Sequence, residues 1–127
     1  MILAIDIGNT NITLGGYNND KILFIARLAT DQRRTADQYA VELYDLVRVS
    51  GYSVSDAEGC VIASVVPSVG AALKGAVEKL TGITPIVLGP GVKTGVNIKI
   101  DNPAQLGADL AAGAAGALGK YPMPCII

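Results

Sequence analysis

The chain has 127 residues, of which 50% are hydrophobic and 17% are charged, with a formal net charge of −1 at pH 7. This composition is typical of one globular domain, and the near-neutral charge argues against a nucleic-acid or anionic-membrane surface. The chain contains no histidine, which excludes histidine-dependent catalytic triads and histidine metal ligands.

The N-terminal part predicts three consecutive β-strands. Residues 2–7 form an apolar run with one acid, residues 11–17 alternate in character, and residues 21–29 form a third strand-like run. The short polar segments 8–11 and 18–20 predict tight turns. Because short turns join antiparallel neighbours, we expect an antiparallel meander.

Helices and strands then alternate. A capping box at Thr35–Gln38 precedes an amphipathic helix that ends at Gly51, and Pro67 opens a second helix that ends at Gly82. Apolar runs predict strands at 60–66 and 85–88.

The last third of the chain predicts a loop and one more helix. The loop runs from Gly89-Pro90-Gly91 to about Asp101. The helix is expected from Asn102-Pro103 to about Gly119, because asparagine can cap a helix and proline suits its first turn. Residues 122–127 look like the opening of another strand.

The two cysteines, Cys60 and Cys125, fall in apolar strand-like runs, so we expect both to be reduced and buried in a cytoplasmic protein. No apolar run is long enough to suggest a membrane span, and the N-terminus resembles a strand rather than a signal peptide.

The first candidate site is Asp6-Ile7-Gly8-Asn9-Thr10. Gly8 lets the backbone approach a phosphate, Asn9 and Thr10 can donate to phosphate oxygens, and Asp6 can hold Mg²⁺. The alternative is a hairpin turn whose aspartate only caps neighbouring N–H groups.

The second candidate site is Asp109, which follows Gly107-Ala108 and falls in the second turn of the third predicted helix. Gly113 and Gly116 lie on the same helical face and could leave space for a substrate hydroxyl. Alternatively, these glycines mark close packing and Asp109 is solvated.

Two further features are less specific. The loop around residues 93–98 is either functional or an ordinary connection. Arg27, Arg33, Arg34 and Lys120 are expected to be solvated, although the Arg33-Arg34 pair could meet an anion.

Together these segments resemble the type III pantothenate kinases, which belong to the actin-like (ASKHA) superfamily. Asp6–Thr10 matches the family's Asp-x-Gly-Asn-Thr phosphate motif, and Ala63–Pro67 is similar to its Ser-Val-Val-Pro strand end. Gly95–Asp109 resembles its substrate segment. The order of predicted elements agrees with an α/β ribonuclease H-like domain, which has a mixed five-stranded sheet with helices on both faces. We expect this domain to span 1–121, and 122–127 to begin a second domain that the chain lacks.

The resemblance implies phosphorylation of the pantothenate hydroxyl by ATP, the first step of coenzyme A biosynthesis. It implies that Asp109 is the general base and that Asp6 binds the metal. The implied phosphate-binding residues are Asp6, Gly8, Asn9 and Thr10. The implied substrate-binding residues are Gly107, Ala108 and Asp109. It also implies Mg²⁺, a monovalent cation (K⁺ or NH₄⁺) and a homodimer.

Two departures from the family pattern affect this expectation. Leu110 stands where the family has an arginine that would meet the anionic substrate. The chain also ends before the family's second phosphate motif and adenosine pocket, so we expect it to be inactive alone. The apolar helix 103–119 would then be exposed and is expected to form a homodimer contact.

Two other functions remain open. One is a non-catalytic, self-associating half-domain with at most weak phosphate or nucleotide binding. The other is a nuclease on the same fold, which would need several carboxylates around two metals, whereas only Asp6 and Asp109 are candidates. We expect no nucleic-acid or membrane partner.

Overall fold

A computed structural model describes residues 1–19, 21–89, 92–102 and 105–127. Its elements in chain order are β1 Ile2–Ile7, β2 Asn11–Asn18, β3 Lys21–Ala29, α1 Ala36–Val49, a 3-10 helix Val54–Asp56, β4 Gly59–Ser64, α2 Pro67–Thr81, β5 Ile86–Val87 and α3 Ala108–Lys120. From β1 to α3 the order of strands and α-helices is the one that the sequence predicts; the 3-10 helix is additional.

Three predicted features reach residues outside the described ranges. The turn at 18–20 includes Asp20, the start of the long loop includes Pro90 and Gly91, and the predicted start of the third helix includes Pro103 and Ala104.

The strands form one mixed five-stranded sheet in the order β3-β2-β1-β4-β5. The β1–β2 and β2–β3 pairs are antiparallel, whereas β1–β4 and β4–β5 are parallel. The prediction of an α/β ribonuclease H-like fold with this type of sheet is confirmed. β1 is the central strand, and its carboxyl end at Ile7 lies beside Ser64 at the carboxyl end of β4.

The core lies on one face of the sheet. Leu3, Ile5 and Ile7 of β1 are buried there, because alternate residues of a strand project to opposite faces. Helices α1 and α2 pack against each other and cover this face. Their buried residues recur at helical spacing: Tyr39, Leu43 and Val47 in α1, and Val69, Leu73 and Val77 in α2.

The opposite face, here called the open face, is covered only in part. α3 lies over it and contacts β4. A cavity separates α3 from the alternate residues of β1 and β2. The prediction of helices on both faces is therefore confirmed.

The helix ends depend on local capping. Thr35 and Gln38 form the predicted capping box at the start of α1, and Gly82 ends α2 in the left-handed conformation that glycine favours. The predicted start of the third helix is wrong, because α3 begins at Ala108 with Gly107 as its cap. Gln105 N–H donates to the Asn102 carbonyl at 3.0 Å, so these two expected capping residues bond to each other before α3 begins.

The C-terminal residues also differ from expectation. Residues 122–127 form no strand, and Cys125 is exposed, so the prediction of two buried cysteines is wrong for Cys125. Cys60 in β4 is buried and free, as predicted. The domain boundary at 121 stays a prediction.

None of the helices in the described ranges is long and apolar enough to cross a membrane.

Adjacent glycines of β2 offer a matched pair of substitutions. A Cβ at Gly16 would overlap the ring of Phe24, which is buried and stacked on Tyr52, whereas a Cβ at Gly15 would lie 3.8 Å from its nearest neighbour. We expect Gly16→Ala to lower the free energy of unfolding by about 1–3 kcal/mol. Gly15→Ala should change it by less than about 0.5 kcal/mol. Equal values in chemical denaturation would contradict this packing.

The buried thiol of Cys60 predicts a pH dependence of stability. Burial raises the pKa of this thiol to about 12, from an ordinary value of 9.0. Above about pH 9 the unfolded chain releases a proton that the folded chain keeps, so stability falls as pH rises toward 12. Cys60→Ala should remove this part of the alkaline loss. Urea denaturation of both proteins between pH 8 and about pH 11 measures it; parallel curves would contradict it.

Candidate active site

The turn between β1 and β2 is held by backbone hydrogen bonds. Gly8 N–H donates to the Asn11 carbonyl at 3.0 Å. A Cβ at Gly8 would lie 3.2 Å from that carbonyl oxygen, which is tight enough to favour glycine here. Asn9 and Thr10 are exposed at the tip of this turn. The predicted phosphate-binding residues therefore surround an accessible backbone turn at the end of the central strand.

Thr30 braces this turn from the end of β3, a contact that the sequence analysis missed. Its hydroxyl donates to the Gly8 carbonyl at 2.8 Å, and its N–H donates to the Thr10 carbonyl at 2.9 Å. Since Asn11 pairs with Ala29, the meander brings residue 30 opposite the turn. The sequence did contain one signal for this contact: Thr30, a hydroxyl residue, directly follows the third predicted strand.

Asp6 and Asp109 line the same cavity. Asp6 lies on the open face, where it pairs with Thr13 of β2 and Ala63 of β4. Asp109 reaches the cavity from α3, and the volume of this partly open cavity is about 520 Å³. We call this space the carboxylate cavity. Its two acids come from opposite walls, one from the sheet and one from the helix.

Asp109 lies in the first turn of α3, whereas the sequence placed it in the second. The Leu110 N–H donates to its Oδ1 at 2.8 Å. Gly113 and Gly116 do not open space beside Asp109; they line a separate cavity with C-terminal residues, and a Cβ at Gly113 would lie 3.6 Å from Ile127. That part of the prediction is wrong, because Ala112, three residues after Asp109, is the α3 residue that lines the carboxylate cavity with it.

A second, larger cavity of about 790 Å³ adjoins the first. The long loop lines it through Thr94, Val96 and Ile98, and the start of α3 lines it through Gly107 and Ala108. Its described lining contains no charged side chain, so we call it the neutral cavity. Leu88 borders both cavities, which places them side by side.

The loop that was predicted to be either functional or an ordinary connection therefore lines the same neutral cavity as part of the predicted substrate segment. Gly107 and Ala108 face it, while Asp109 faces the carboxylate cavity. Leu110 belongs to the described lining of neither cavity and is 54% exposed.

Arg33 and Arg34 are engaged within the protein. Arg33 forms two side-chain hydrogen bonds with Asp31, at 3.1 and 3.2 Å, which lower the pKa of that carboxyl. Arg34 pairs with Glu42. The sequence left open that this pair meets an anion. Because both arginines already pair with carboxylates of the protein, they are less suited to binding an external anion.

The donor set of the carboxylate cavity fits Mg²⁺ only together with a bound phosphate. In the described part of the chain, no three His, Cys, Asp or Glu side chains cluster as a metal site. Mg²⁺ is commonly held by one or two carboxylates plus phosphate and water oxygens. Asp6 and Asp109 can supply these one or two carboxylates, and the bound phosphate and water would supply the other oxygens.

Comparison with protein-family models gives a match over residues 2–127, nearly the whole chain. The matching family is the type III pantothenate kinase.

Thr30→Val tests the brace on the turn, because valine keeps the shape but removes the donor. We expect a loss of about 1 kcal/mol in the free energy of unfolding and faster amide hydrogen exchange at Gly8. Thr30→Ser, which keeps the hydroxyl, is the matched control. Unchanged exchange at Gly8 in the valine variant would contradict the brace.

Proposed function

The chain belongs to the type III pantothenate kinase family, and on that premise we propose that it builds the catalytic cleft for phosphoryl transfer from ATP to the pantothenate hydroxyl. The observation that carries this proposal is the carboxylate cavity, which Asp6 and Asp109 both line. Asp6 lies two residues before Gly8, where the turn at the end of β1 begins. Phosphoryl transfer needs positioned groups and charge stabilisation more than covalent chemistry, and this arrangement suits it.

On the sheet side, Asp6 is proposed to hold Mg²⁺, which would neutralise charge on the phosphates. Gly8, Asn9 and Thr10 would bind phosphate oxygens, because the turn is accessible and its tip residues are exposed. The proposal of a monovalent cation, K⁺ or NH₄⁺, rests on the family alone.

On the helix side, Asp109 is proposed to accept the proton of the substrate hydroxyl. Its Oδ1 is fixed by the Leu110 N–H, which leaves Oδ2 to meet the hydroxyl. Gly107 and Ala108 would contact the rest of the substrate in the neutral cavity, whose lining suits amide and alkyl groups. Leu110 adds no donor for an anionic end of the substrate.

Exposed apolar residues favour a second candidate, a self-associating module. In α3, Leu110 and Leu118 are 54% and 52% exposed, and Ala117 is the only residue of this helix classed as buried in the described structure. Such a helix gains stability when a partner covers it. We propose a homodimer contact on α3, within the predicted 103–119 segment. A cytoplasmic location is proposed from the free cysteines.

A coupled ADP-release assay with pantothenate tests the kinase proposal. We expect the wild-type chain to have low turnover alone. Asp109→Asn should lower that turnover about 100- to 10,000-fold with little change in ATP affinity, because it removes a general base. Asp45→Asn makes the same charge change on the exposed side of α1 and is the control. Turnover that survives Asp109→Asn would contradict the assignment. Absence of wild-type turnover, together with a dimer mass by light scattering, would favour the self-associating module.

A further inference from the structure

Arg27 lies in the same cross-strand row as Asp6. In the sheet register, Asp6 is opposite Thr13, and Thr13 is opposite Arg27. Directly opposed residues of antiparallel strands project to the same face. The flanking β2 residues Ile12 and Leu14 are buried in the core, so Thr13 and its row lie on the open face.

The irregularity between β2 and β3 does not disturb this row. The register shift falls between Gly16 and Tyr17, whereas the pairs from Asn11 to Gly16 are continuous. The row therefore runs Arg27, Thr13, Asp6, Ala63 across four neighbouring strands.

The carboxylate cavity needs a cation if it binds phosphates. Its described lining contains Asp6 and Asp109 but no lysine or arginine. A phosphate chain would add further negative charge, which one Mg²⁺ offsets only in part. Among the described open-face residues of β1 to β3, Arg27 is the only basic one. The others are Ile2, Ala4, Asp6, Asn11, Thr13, Gly15, Tyr17, Ile22, Ile25 and Ala29.

Arg27 is also free to take this role. Its side chain is exposed, and it forms no salt bridge with any residue in the described ranges, in contrast to Arg33 and Arg34. Neighbouring strands lie about 4.8 Å apart, so the Arg27 backbone is roughly 10 Å from that of Asp6. A long arginine side chain can span much of that distance, and its planar fork matches two phosphate oxygens.

We propose that Arg27 is a phosphate-binding residue that contacts the phosphate group held beside Asp6. This assignment rests on the proposed kinase function and replaces the expectation that Arg27 is only solvated. Thr13 lies between the two residues and leaves the path open, because its side chain is short.

Isothermal titration of the chain with Mg²⁺ plus inorganic triphosphate, and with MgATP, tests the assignment. Arg27→Gln should raise both dissociation constants by about tenfold or more, as expected for a lost hydrogen bond to a charged group. Arg27→Lys should restore part of the affinity. Arg48→Gln, with the same charge change at an exposed position of α1, should match the wild type. The unfolding midpoints should remain the same in all variants.

The outcomes separate this assignment from the kinase proposal. Triphosphate binding that Asp6→Asn weakens and Arg27→Gln leaves unchanged would overturn the role of Arg27 and leave the proposed function standing. A wild-type chain that binds neither probe would contradict the phosphate site itself. If Arg27→Gln weakens pantothenate binding instead of triphosphate binding, the arginine meets a carboxylate and the assignment is wrong.

Discussion

The parallel pairing of β1 with β4 is the contact on which the rest of the structure depends. It joins the N-terminal meander to the helical part of the chain, and it sets Ile7 beside Ser64, where the Val65 N–H also donates to the Ile7 carbonyl at 3.0 Å. Parallel strands require a crossover, which α1 supplies on one face. The carboxyl ends of both strands then point to one edge of the sheet, where ligands bind in open α/β sheets.

The same pairing makes the two faces unequal. α1 and α2 bury one face of β1 completely. On the other face, α3 contacts β4, and a cavity separates α3 from β1 and β2. An acid at position 6 is tolerated because it projects into this partly covered space rather than into the core. Apolar residues on the open face remain exposed, with Ile22 at 60% and Ile25 at 59%. The cavity and the exposed apolar surface thus have one cause.

Elements with strong local signals could be predicted from the sequence. The capping box at Thr35 and the glycine at 82 fix the helix ends through contacts within a few residues, and an apolar run with one acid predicts β1. The row that contains Arg27 could not be predicted, because cross-strand neighbours depend on the register that the turns and the core impose together. The exposure of Cys125 could not be predicted either, since an apolar run does not specify what will pack against it.

The late start of α3 determines which backbone amide is available to the Asp109 carboxylate. Had the helix begun at Asn102, the amide groups around Asp109 would already donate to carbonyls four residues earlier. Because α3 begins at Ala108, the first intrahelical hydrogen bond is from Ala111 to Gly107, and the Leu110 N–H remains free of a helical partner. That N–H binds the Asp109 carboxylate and limits its orientation. Gly107 contributes to the same arrangement, because a Cβ at position 107 would lie 2.5 Å from Asp109 Oδ1 and would displace the proposed base.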